Sequence, residues 1–571
     1  MNAPRRGVRS SAALPERRRT ALARLATAVA LVLLVGVPVV PGLLVADGTA
    51  LPRIPVESLV VVLVLAIVPW RSPRPLHAAP ARRAGPRGAS ALRLVLAAAF
   101  GLFVTLALVL AGIDRGYQAV LGIHFVPLDW PQLADAYGVI ADTIGQPLAN
   151  LLVAAVMLVI VACVAALAWA ALRVAGVVRR SADGRAVLAG ATAVWMAAAL
   201  VSPPLRTTDP VAAAASVGSV GTAVSRTVSA LQEQAAVARD IADDPYAGVP
   251  ADRLLTALQG KDVVIAFVES YGRVALEGDG IADGVGQVLR DGEAALGADG
   301  YTAQSAWLTS PTFGGRSWLA HSTLQSGVWV DAQTAYEQVV ASDRLTLARA
   351  FAQAGWRTVA DVPSNTRTWD EGTTFYGYDA QLDANDVGYR GPRFGYARIP
   401  DQYTLKHFAD TELAPGHDPV MAEIDLVSSH TPWAPLPQLV PWDQIGDGSV
   451  YDAQPAQSRT ASTVWQSDRT VQRYYGMSVQ YSLGALTSFL QNVDDPDLVV
   501  IVLGDHQPAS IVSGEDASHD VPITLIARDP AVFTAIAGWG WQPGLHPGDA
   551  APVWRMDAFR DRFLAAFTPA S

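Results

Sequence analysis

Cysteine is nearly absent from this chain of 571 residues, and its one copy, Cys163, lies inside a long apolar run. An intramolecular disulfide is therefore excluded, and with it a small disulfide-built fold. Charged residues are also scarce, at 16% against 51% hydrophobic residues. That balance is too apolar for one soluble domain and too charged for a protein that lies wholly in the membrane. The net charge of −10 argues against nucleic acid as a partner.

The hydrophobic residues are concentrated in five runs in the N-terminal third of the chain. A helix needs about 20 predominantly apolar residues to cross a bilayer. The runs therefore predict a transmembrane domain over residues 1–205 with five helices, at about 22–45, 54–70, 92–113, 151–174 and 186–201. The first run could also be a signal peptide, but no small-residue cleavage site follows it and further spans do. We interpret it as an uncleaved anchor.

The distribution of arginine predicts which side of the membrane each loop occupies. The N-terminal segment and the loops after the second and fourth runs hold most of the arginines of this third, whereas 41–53 and 114–150 hold only Arg53 and Arg115. Because positive charge is retained in the cytoplasm, the N-terminus is predicted to be cytoplasmic. After five crossings, the rest of the chain lies outside the cell membrane. It is predicted to comprise a linker with a juxtamembrane helix, 206–249, and an extracytoplasmic domain, 250–571.

Helical and strand patterns alternate in the outer domain, and this predicts an α/β fold with a mostly parallel sheet and helices on both faces. Two long segments, 363–398 and 431–461, do not follow the alternation and are rich in aromatic and polar residues. Long ordered loops of this kind are commonly functional. We therefore expect both segments to form walls of a substrate cleft.

Acidic residues follow two of the most apolar runs in this domain. Asp262–Phe267 leads into Glu269, and Leu498–Leu503 leads into Asp505 and His506. Open α/β sheets bind their ligands at the carboxyl ends of parallel strands. Carboxylate and imidazole groups that meet at such an edge could hold a divalent cation. Glu269 alone could be an ordinary surface carboxylate at a strand end, whereas the adjacent pair Asp505 and His506 favours metal ligands over a simple loop pair.

Ser317 follows a glycine-rich turn and begins a segment with a helical pattern. The N-terminus of a helix presents backbone N–H groups and the positive end of the helix dipole, which suits an anion such as phosphate. A serine hydroxyl is a poor nucleophile near neutral pH until a base or a cation draws off its proton. Ser317 is therefore a candidate nucleophile if a cation lies beside it. Taken alone, the pattern is also typical of a simple helix cap.

Four motifs resemble, in order, the sulfatase-like branch of the alkaline phosphatase superfamily: FVES at 267–270, GGRSWLAH at 314–321, SSHTPW at 428–433 and GDHQP at 504–508. Within that branch the chain is most similar to membrane lipoteichoic acid synthases and phosphoethanolamine transferases. The resemblance implies a five-helix membrane bundle followed by an alkaline-phosphatase-like α/β domain. It also implies one divalent metal ion, Mn or Zn, held by Glu269, Ser317, Asp505 and His506. Ser317 stands where the family usually has a threonine nucleophile.

The activity implied by the resemblance is that of a metal-dependent phosphotransferase or phosphoesterase with a phospho-Ser317 intermediate. The implied substrates are a phospholipid or lipid-linked donor and an envelope glycan or lipid acceptor, with phosphoglycerol or phosphoethanolamine as the transferred unit. His430 matches a family histidine that contacts substrate and is predicted to be catalytic, protonating the leaving group or binding a phosphate oxygen; it could also simply cap a loop. His519 matches a region where related enzymes place another histidine for substrate or a second metal. Further candidates for substrate binding, each of which could equally be structural, are Arg316, His321, Arg367 and Trp369. A second cation between Asp425, His430 and His519 is an alternative to the simpler one-metal site.

Two other functions stay open. A sulfatase would need a C/S-x-P-x-R motif, but Ser310-Pro311 lacks that spacing and Cys163 is in the membrane, so hydrolysis of sulfate esters is the weaker alternative. A catalytically inactive binding protein with the same fold is the other. A transporter is disfavoured because the predicted spans lack ionisable residues at mid-membrane depth.

Overall fold

The computed structural model describes residues 16–45, 54–67, 87–121, 124–130, 145–180, 182–201, 212–213 and 215–568, with a few residues between 133 and 141. The chain folds as two compact units. One comprises Met1–Tyr117 with His124–Ser229, and the other Gln118–Ile123 with Ala230–Ser571.

The first unit is helical, and each of the five predicted spans contains a helix. These are α1 (Glu16–Gly36), α2 (Val56–Ile67), α3 (Arg87–Leu121), α4 (Gln146–Val178) and α5 (Ala182–Val201). Helical structure continues after α1 to Val45. In the helices α3 and α4 the backbones approach closely, because a Cβ atom on Gly101 would lie 2.5 Å from the carbonyl oxygen of Val164. Small residues permit such close packing between membrane helices.

Three stretches of the described residues are long and apolar enough to cross a membrane: Thr20–Leu44, Ala91–Ala119 and Gln146–Val178. The predicted count of five is not reached by this measure. The α2 helix is apolar but has only 12 residues, and α5 is not among the three, with Asp183 and Arg185 near its start. The coarser prediction, an N-terminal part with helices that can span a membrane, agrees with these three stretches.

The second unit is built on a nine-stranded sheet. In chain order the strands are β1 (Asp262–Val268), β2 (Thr302–Thr309), β3 (Arg357–Val362), β4 (Ala380–Asp383), β5 (Val420–Leu426), β6 (Leu498–Gly504), β7 (Asp520–Ala527), β8 (Gln542–Pro543) and β9 (Val553–Arg555). Their spatial order is β8-β2-β7-β6-β1-β5-β3-β4, and β9 also pairs with β2.

The sheet is mixed, whereas the sequence predicted a mostly parallel one. Strands β6, β1, β5, β3 and β4 are parallel neighbours. The pairs β6–β7, β7–β2 and β2–β8 are antiparallel. The connection from β6 to β7 contains only the short helix Ser510–Ser513. A parallel pair needs a crossover connection, usually a longer helix, so β7 runs back along β6.

Helices cover both faces of the sheet. They are α6 (Ala215–Ala242), at which the two units divide, and α7 (Ala282–Ala298), α8 (Ser317–Ser326), α9 (Gln333–Val340), α10 (Leu347–Gln353), α11 (Asp401–Thr411), α12 (Asp468–Asn492) and α13 (Ala558–Phe567). One core packs β1 against α8, α9, α10 and α13, and the other packs it against α7, α11 and α12. Strand β1 is buried along its whole length, as its continuous apolar run predicts.

Candidate active site

Strands β1 and β6 and helix α8 bring four of the predicted site residues together. Glu269 follows β1, Asp505 and His506 follow β6, and Ser317 is the first residue of α8. The Oγ atom of Ser317 lies 3.1 Å from Glu269 Oε2 and 3.2 Å from His506 Nε2. The same nitrogen lies 3.5 Å from Glu269 Oε1 and 3.4 Å from Asp505 Oδ2. The four side chains therefore meet at the carboxyl edge of the sheet.

The register of the parallel pair β1–β6 aligns the ends of the two strands, after which the two carboxylates follow. Val268 lies opposite Gly504 in this parallel pair, so Glu269 and Asp505 follow side by side. The loop after β1 then folds back over the end of β6. A Cβ atom on Gly504 would lie only 1.9 Å from the carbonyl oxygen of Tyr271, which is why this position requires glycine.

Hydrogen bonds orient these side chains. The backbone N–H groups of Ser270 and His506 both donate to Asp505 Oδ1, at 2.7 Å. The hydroxyl of Ser270 donates to Glu269 Oε1 at 2.9 Å. His506 Nδ1 lies 2.8 Å from the carbonyl oxygen of Gln507, an acceptor that fixes the proton on Nδ1. The lone pair of His506 Nε2 therefore faces the other three residues.

Backbone strain is concentrated around this edge. Among the described residues, three of the four non-glycine positions with positive φ are Ser270 (57°), Arg316 (67°) and Trp433 (56°). Ser270 follows Glu269, Arg316 precedes Ser317, and Trp433 lies in the loop after β5. Residues other than glycine rarely adopt a positive φ, and such backbone strain clusters at functional sites.

A cavity of about 290 Å³ opens over these residues. Its wall contains four carboxylates, Glu269, Glu423, Asp425 and Asp505, and three basic side chains, Arg316, His321 and His430. Aromatic side chains complete it: Trp318, Trp369, Tyr376 and Tyr396. The volume is close to the lower end of the range for small-molecule sites.

The residues at the cavity floor fit a divalent cation. Asp505 is 1% exposed, and its Oδ2 atom has no hydrogen-bond partner among the described residues. Burial, together with the neighbouring carboxylate of Glu269, raises the pKa of Asp505 to about 6. Two carboxylates, an imidazole nitrogen and a hydroxyl are donors that suit Mn or Zn. A cation at this point would offset the charge that burial otherwise penalises.

His430 lines the same cavity. Its ring stacks on Tyr396, with centroids 3.7 Å apart and planes inclined by 16°. Its Nδ1 atom contacts the carbonyl oxygen of Thr431. Burial lowers the pKa of His430 to about 4, so the ring is neutral near pH 7 with its proton on Nδ1.

The alternative arrangement of Asp425, His430 and His519 around a second cation does not match the structure. Asp425 Oδ1 instead lies 3.6 Å from His321 Nδ1. His519 does not line the cavity; its Nδ1 atom lies 3.3 Å from the carbonyl oxygen of Ser310 and its ring packs beside Phe313. The reason is that β7 starts on the far side of β6 from β5.

The other candidates divide between the cavity and its surroundings. Arg316 and Trp369 line the cavity, and the Trp369 ring packs on Tyr376. Arg367 is exposed and lines a neighbouring cavity of about 300 Å³ that shares Val362 and Asn365 with the first, so its role in substrate binding stays a prediction. Segment 363–398 supplies part of the wall, as expected. None of the described residues of 431–461 does, because that loop packs on α12 instead, with Trp433 against Tyr475.

Sequence reasoning missed Glu423, which lies beside His321 in the cavity wall. A signal was present in the strand VMAEIDL, where Glu423 and Asp425 occupy alternate positions of an otherwise apolar run. Alternate residues of a strand point to the same face. Two carboxylates on one face of a buried strand need partners.

No protein-family model matches the chain, and no curated protein matches it. Solved structures to which it is similar include the lipooligosaccharide phosphoethanolamine transferase EptA from Neisseria meningitidis, at 14% identity and a TM-score of 0.41, with 84% of this chain and 89% of that one covered. The lipoteichoic acid synthase LtaP from Listeria monocytogenes follows at 15% identity and 0.37, covering 56% and 74%. The Streptococcus pyogenes phosphoglycerol transferase GacH gives 13% identity and 0.33, covering 60% and 91%. These enzymes are of the classes that the sequence motifs resemble, and the similarity is remote.

Replacement of Gly504 by alanine tests the close approach of the two strand-end loops. The new Cβ atom would meet the backbone of Tyr271, which cannot move without shifting Asp505, so we expect a loss of roughly 3 kcal/mol. Thermal unfolding of the full-length protein should show a Tm lower by about 5 °C or more. Gly548→Ala is the control, because no atom lies within 4 Å of the added group. Equal Tm values for the two variants would contradict the described packing.

Proposed function

We propose that the chain is a membrane-anchored, metal-dependent phosphotransferase or phosphoesterase. It acts through Ser317 as nucleophile on phosphoesters of lipid head groups or envelope glycans. The observation that carries this proposal is the contact of Ser317 Oγ with both Glu269 Oε2 and His506 Nε2. A capping serine would direct its oxygen to backbone N–H groups of its own helix. Ser317 instead directs its hydroxyl to side chains that follow two central strands.

Glu269, Ser317, Asp505 and His506 would hold one divalent ion, Mn or Zn, which would lower the pKa of the hydroxyl and neutralise phosphoryl charge. The side chains have distinct tasks around it. The Ser317 hydroxyl donates to Glu269 Oε2, so Glu269 is the nearest acceptor for the proton of the nucleophile. Ser270 and the backbone of His506 hold the carboxylates in place.

The reaction has two displacement steps at phosphorus. In the first, the Ser317 hydroxyl gives up its proton and its Oγ atom forms a bond to phosphorus, while the bond from phosphorus to the donor alcohol breaks and that alcohol leaves with the released proton. In the second, the oxygen of an acceptor hydroxyl or of water loses its proton and attacks phosphorus, the Oγ–P bond breaks, and Ser317 Oγ regains a proton. Neutral His430, with its proton on Nδ1, has an accepting Nε2 atom that can hold the acceptor hydroxyl by a hydrogen bond.

The proposed donor is a phospholipid or a lipid-linked phosphoester, and the proposed acceptor is an envelope glycan or lipid. The membrane anchor supports this choice, because a tethered domain meets a lipid substrate at a high effective concentration. The N-terminus is proposed to be cytoplasmic and the second unit extracytoplasmic. Either three or five spans give this result, since an odd number of crossings ends on the opposite side.

Intact-mass analysis tests the covalent step. Full-length protein loaded with Mn and incubated with phosphatidylglycerol or phosphatidylethanolamine should gain one phosphoglycerol or phosphoethanolamine group on Ser317, located by peptide mapping. Ser317→Ala should gain none and lose turnover by at least about 10³-fold, because the nucleophile is absent. Ser342→Ala, at a serine outside the cavity, is the control and should behave as the wild type. Turnover that persists in Ser317→Ala would remove Ser317 from the mechanism.

Cysteine labelling tests the topology. In a Cys163→Ala background, a cysteine that replaces the exposed Glu277 of the second unit should react with a membrane-impermeant maleimide in intact cells. A cysteine that replaces Arg83, in a loop assigned to the cytoplasm, should react only after permeabilisation. The opposite pattern would place the second unit inside the cell and rule out an envelope substrate.

A further inference from the structure

A second charged group borders the cavity beside the nucleophile. His321 lies four residues after Ser317 on α8, so the two side chains share one face of the helix, with Cβ atoms about 5–6 Å apart. His321 Nδ1 lies 2.9 Å from Glu423 Oε1 and 3.6 Å from Asp425 Oδ1. Neither displacement step of the proposed reaction uses His321.

Buried contacts hold His321 in one position. Its ring stacks on Phe267, with centroids 3.8 Å apart and planes inclined by 12°. Glu423 is 4% exposed, and its Oε2 atom accepts hydrogen bonds from the Tyr378 hydroxyl at 2.8 Å and from the side-chain amide of Gln325. Because three donors hold the Glu423 carboxylate, its orientation is fixed, and so is its contact with His321.

The two carboxylates also fix the charge of His321. Burial by itself lowers the pKa of His321, but Asp425 and Glu423 outweigh it and raise the pKa to about 9. Both ring nitrogens of an imidazolium carry protons. Because Nδ1 faces the carboxylates, Nε2–H is the donor that remains for a ligand in the cavity that His321 lines.

A metal ion between His321, Glu423 and Asp425 is the competing interpretation, since one ligand atom of each lies within 4.8 Å of the others. The hydrogen bonds argue against it. Glu423 already accepts from three donors, and the His321 nitrogen nearest the carboxylates bonds to one of them. Glu423 and His321 therefore form a hydrogen-bonded ion pair that needs no metal ion, with Asp425 Oδ1 close by but not hydrogen-bonded among the described residues.

We propose that His321 is a second anion-binding group of the site, whose Nε2–H donates to an oxygen of the phosphoryl group held at Ser317, with Glu423 and Asp425 as positioning residues. This inference rests on the proposed function, because it requires a phosphoryl group at Ser317. It accounts for a cationic ring in a wall whose other charged groups are four carboxylates and Arg316. Such a ring attracts an oxyanion to a surface that would repel it.

Calorimetric titration of inorganic phosphate into the Mn-loaded, full-length protein tests the proposal. His321→Gln removes the charge and keeps a donor of similar length, and it should weaken phosphate binding about 10- to 100-fold, the value of one charge-assisted hydrogen bond. Its Mn content should equal that of the wild type. His546→Gln, at an exposed histidine outside the cavity, is the matched control and should bind phosphate normally.

Asp425→Asn provides an independent variant if His321→Gln does not fold. It leaves the ring in place and removes one of its two carboxylates, so phosphate binding should weaken about threefold or more while Mn content is retained. Phosphate binding within twofold of the wild type in folded His321→Gln would overturn the proposal and leave Ser317 chemistry intact. Loss of a bound ion in either variant would overturn it in favour of a metal site. A wild type that neither binds phosphate nor forms the Ser317 adduct would refute the proposed function as well.

Discussion

The placement of the half-buried Glu269 beside the buried Asp505 is the constraint on which the rest of the site depends. Two carboxylates withdrawn from water at the ends of neighbouring strands are unfavourable unless charge and hydrogen bonds compensate them. Backbone N–H groups satisfy one oxygen of Asp505 and leave the other without a partner among the described residues. His506 Nε2 lies 3.4 Å from that second oxygen, and Ser317 Oγ contacts Glu269 and His506. A divalent cation is the group that would satisfy all four, and its presence would make the serine reactive.

A second consequence of this acidity concerns how an anionic substrate can approach. The cavity wall contains more carboxylates than basic groups, which would repel a phosphoester. A cationic ring lies close to this acidity: His321 follows Ser317 by four residues on α8 and is held by the carboxylates of Glu423 and Asp425 on β5. Positive charge placed beside the reacting group, within a wall that is acidic overall, restricts the attractive region to the phosphoryl position.

Much of the site can be predicted from the sequence, because its residues lie at the ends of strands and at the start of a helix that local patterns identify. The apolar runs before Glu269 and Asp505 mark buried central strands, and the glycine-rich turn before Ser317 marks the start of α8. Contacts between elements far apart in the chain are less readable. The pair formed by His321 and Glu423 joins α8 to β5, and no local pattern connects them. The positions of Arg367 and His519 outside the main cavity could not be predicted, because loop conformation and the side of β6 on which β7 pairs depend on tertiary packing.

For the fold too, local patterns predict the elements, whereas their arrangement depends on tertiary packing. Alternating helices and strands predicted a layered α/β domain, and both faces of the sheet are covered. The antiparallel half, with β7 and β2, was not predicted because hydrophobic periodicity identifies a strand without giving its direction. In the first unit, each of the five apolar runs contains a helix, as predicted. The α2 helix, however, has too few residues to count as a membrane span by its length.

Anomalous X-ray scattering from crystals of the Mn-loaded, full-length protein tests the metal site most directly. We expect one Mn peak at roughly 2.0–2.3 Å from donor atoms of Glu269, Ser317, Asp505 and His506. The peak should be absent in Asp505→Asn. A map with no peak at these residues, or with its only peak between Asp262, His417 and Asp495 at the opposite edge of the sheet, would contradict the metal-dependent mechanism.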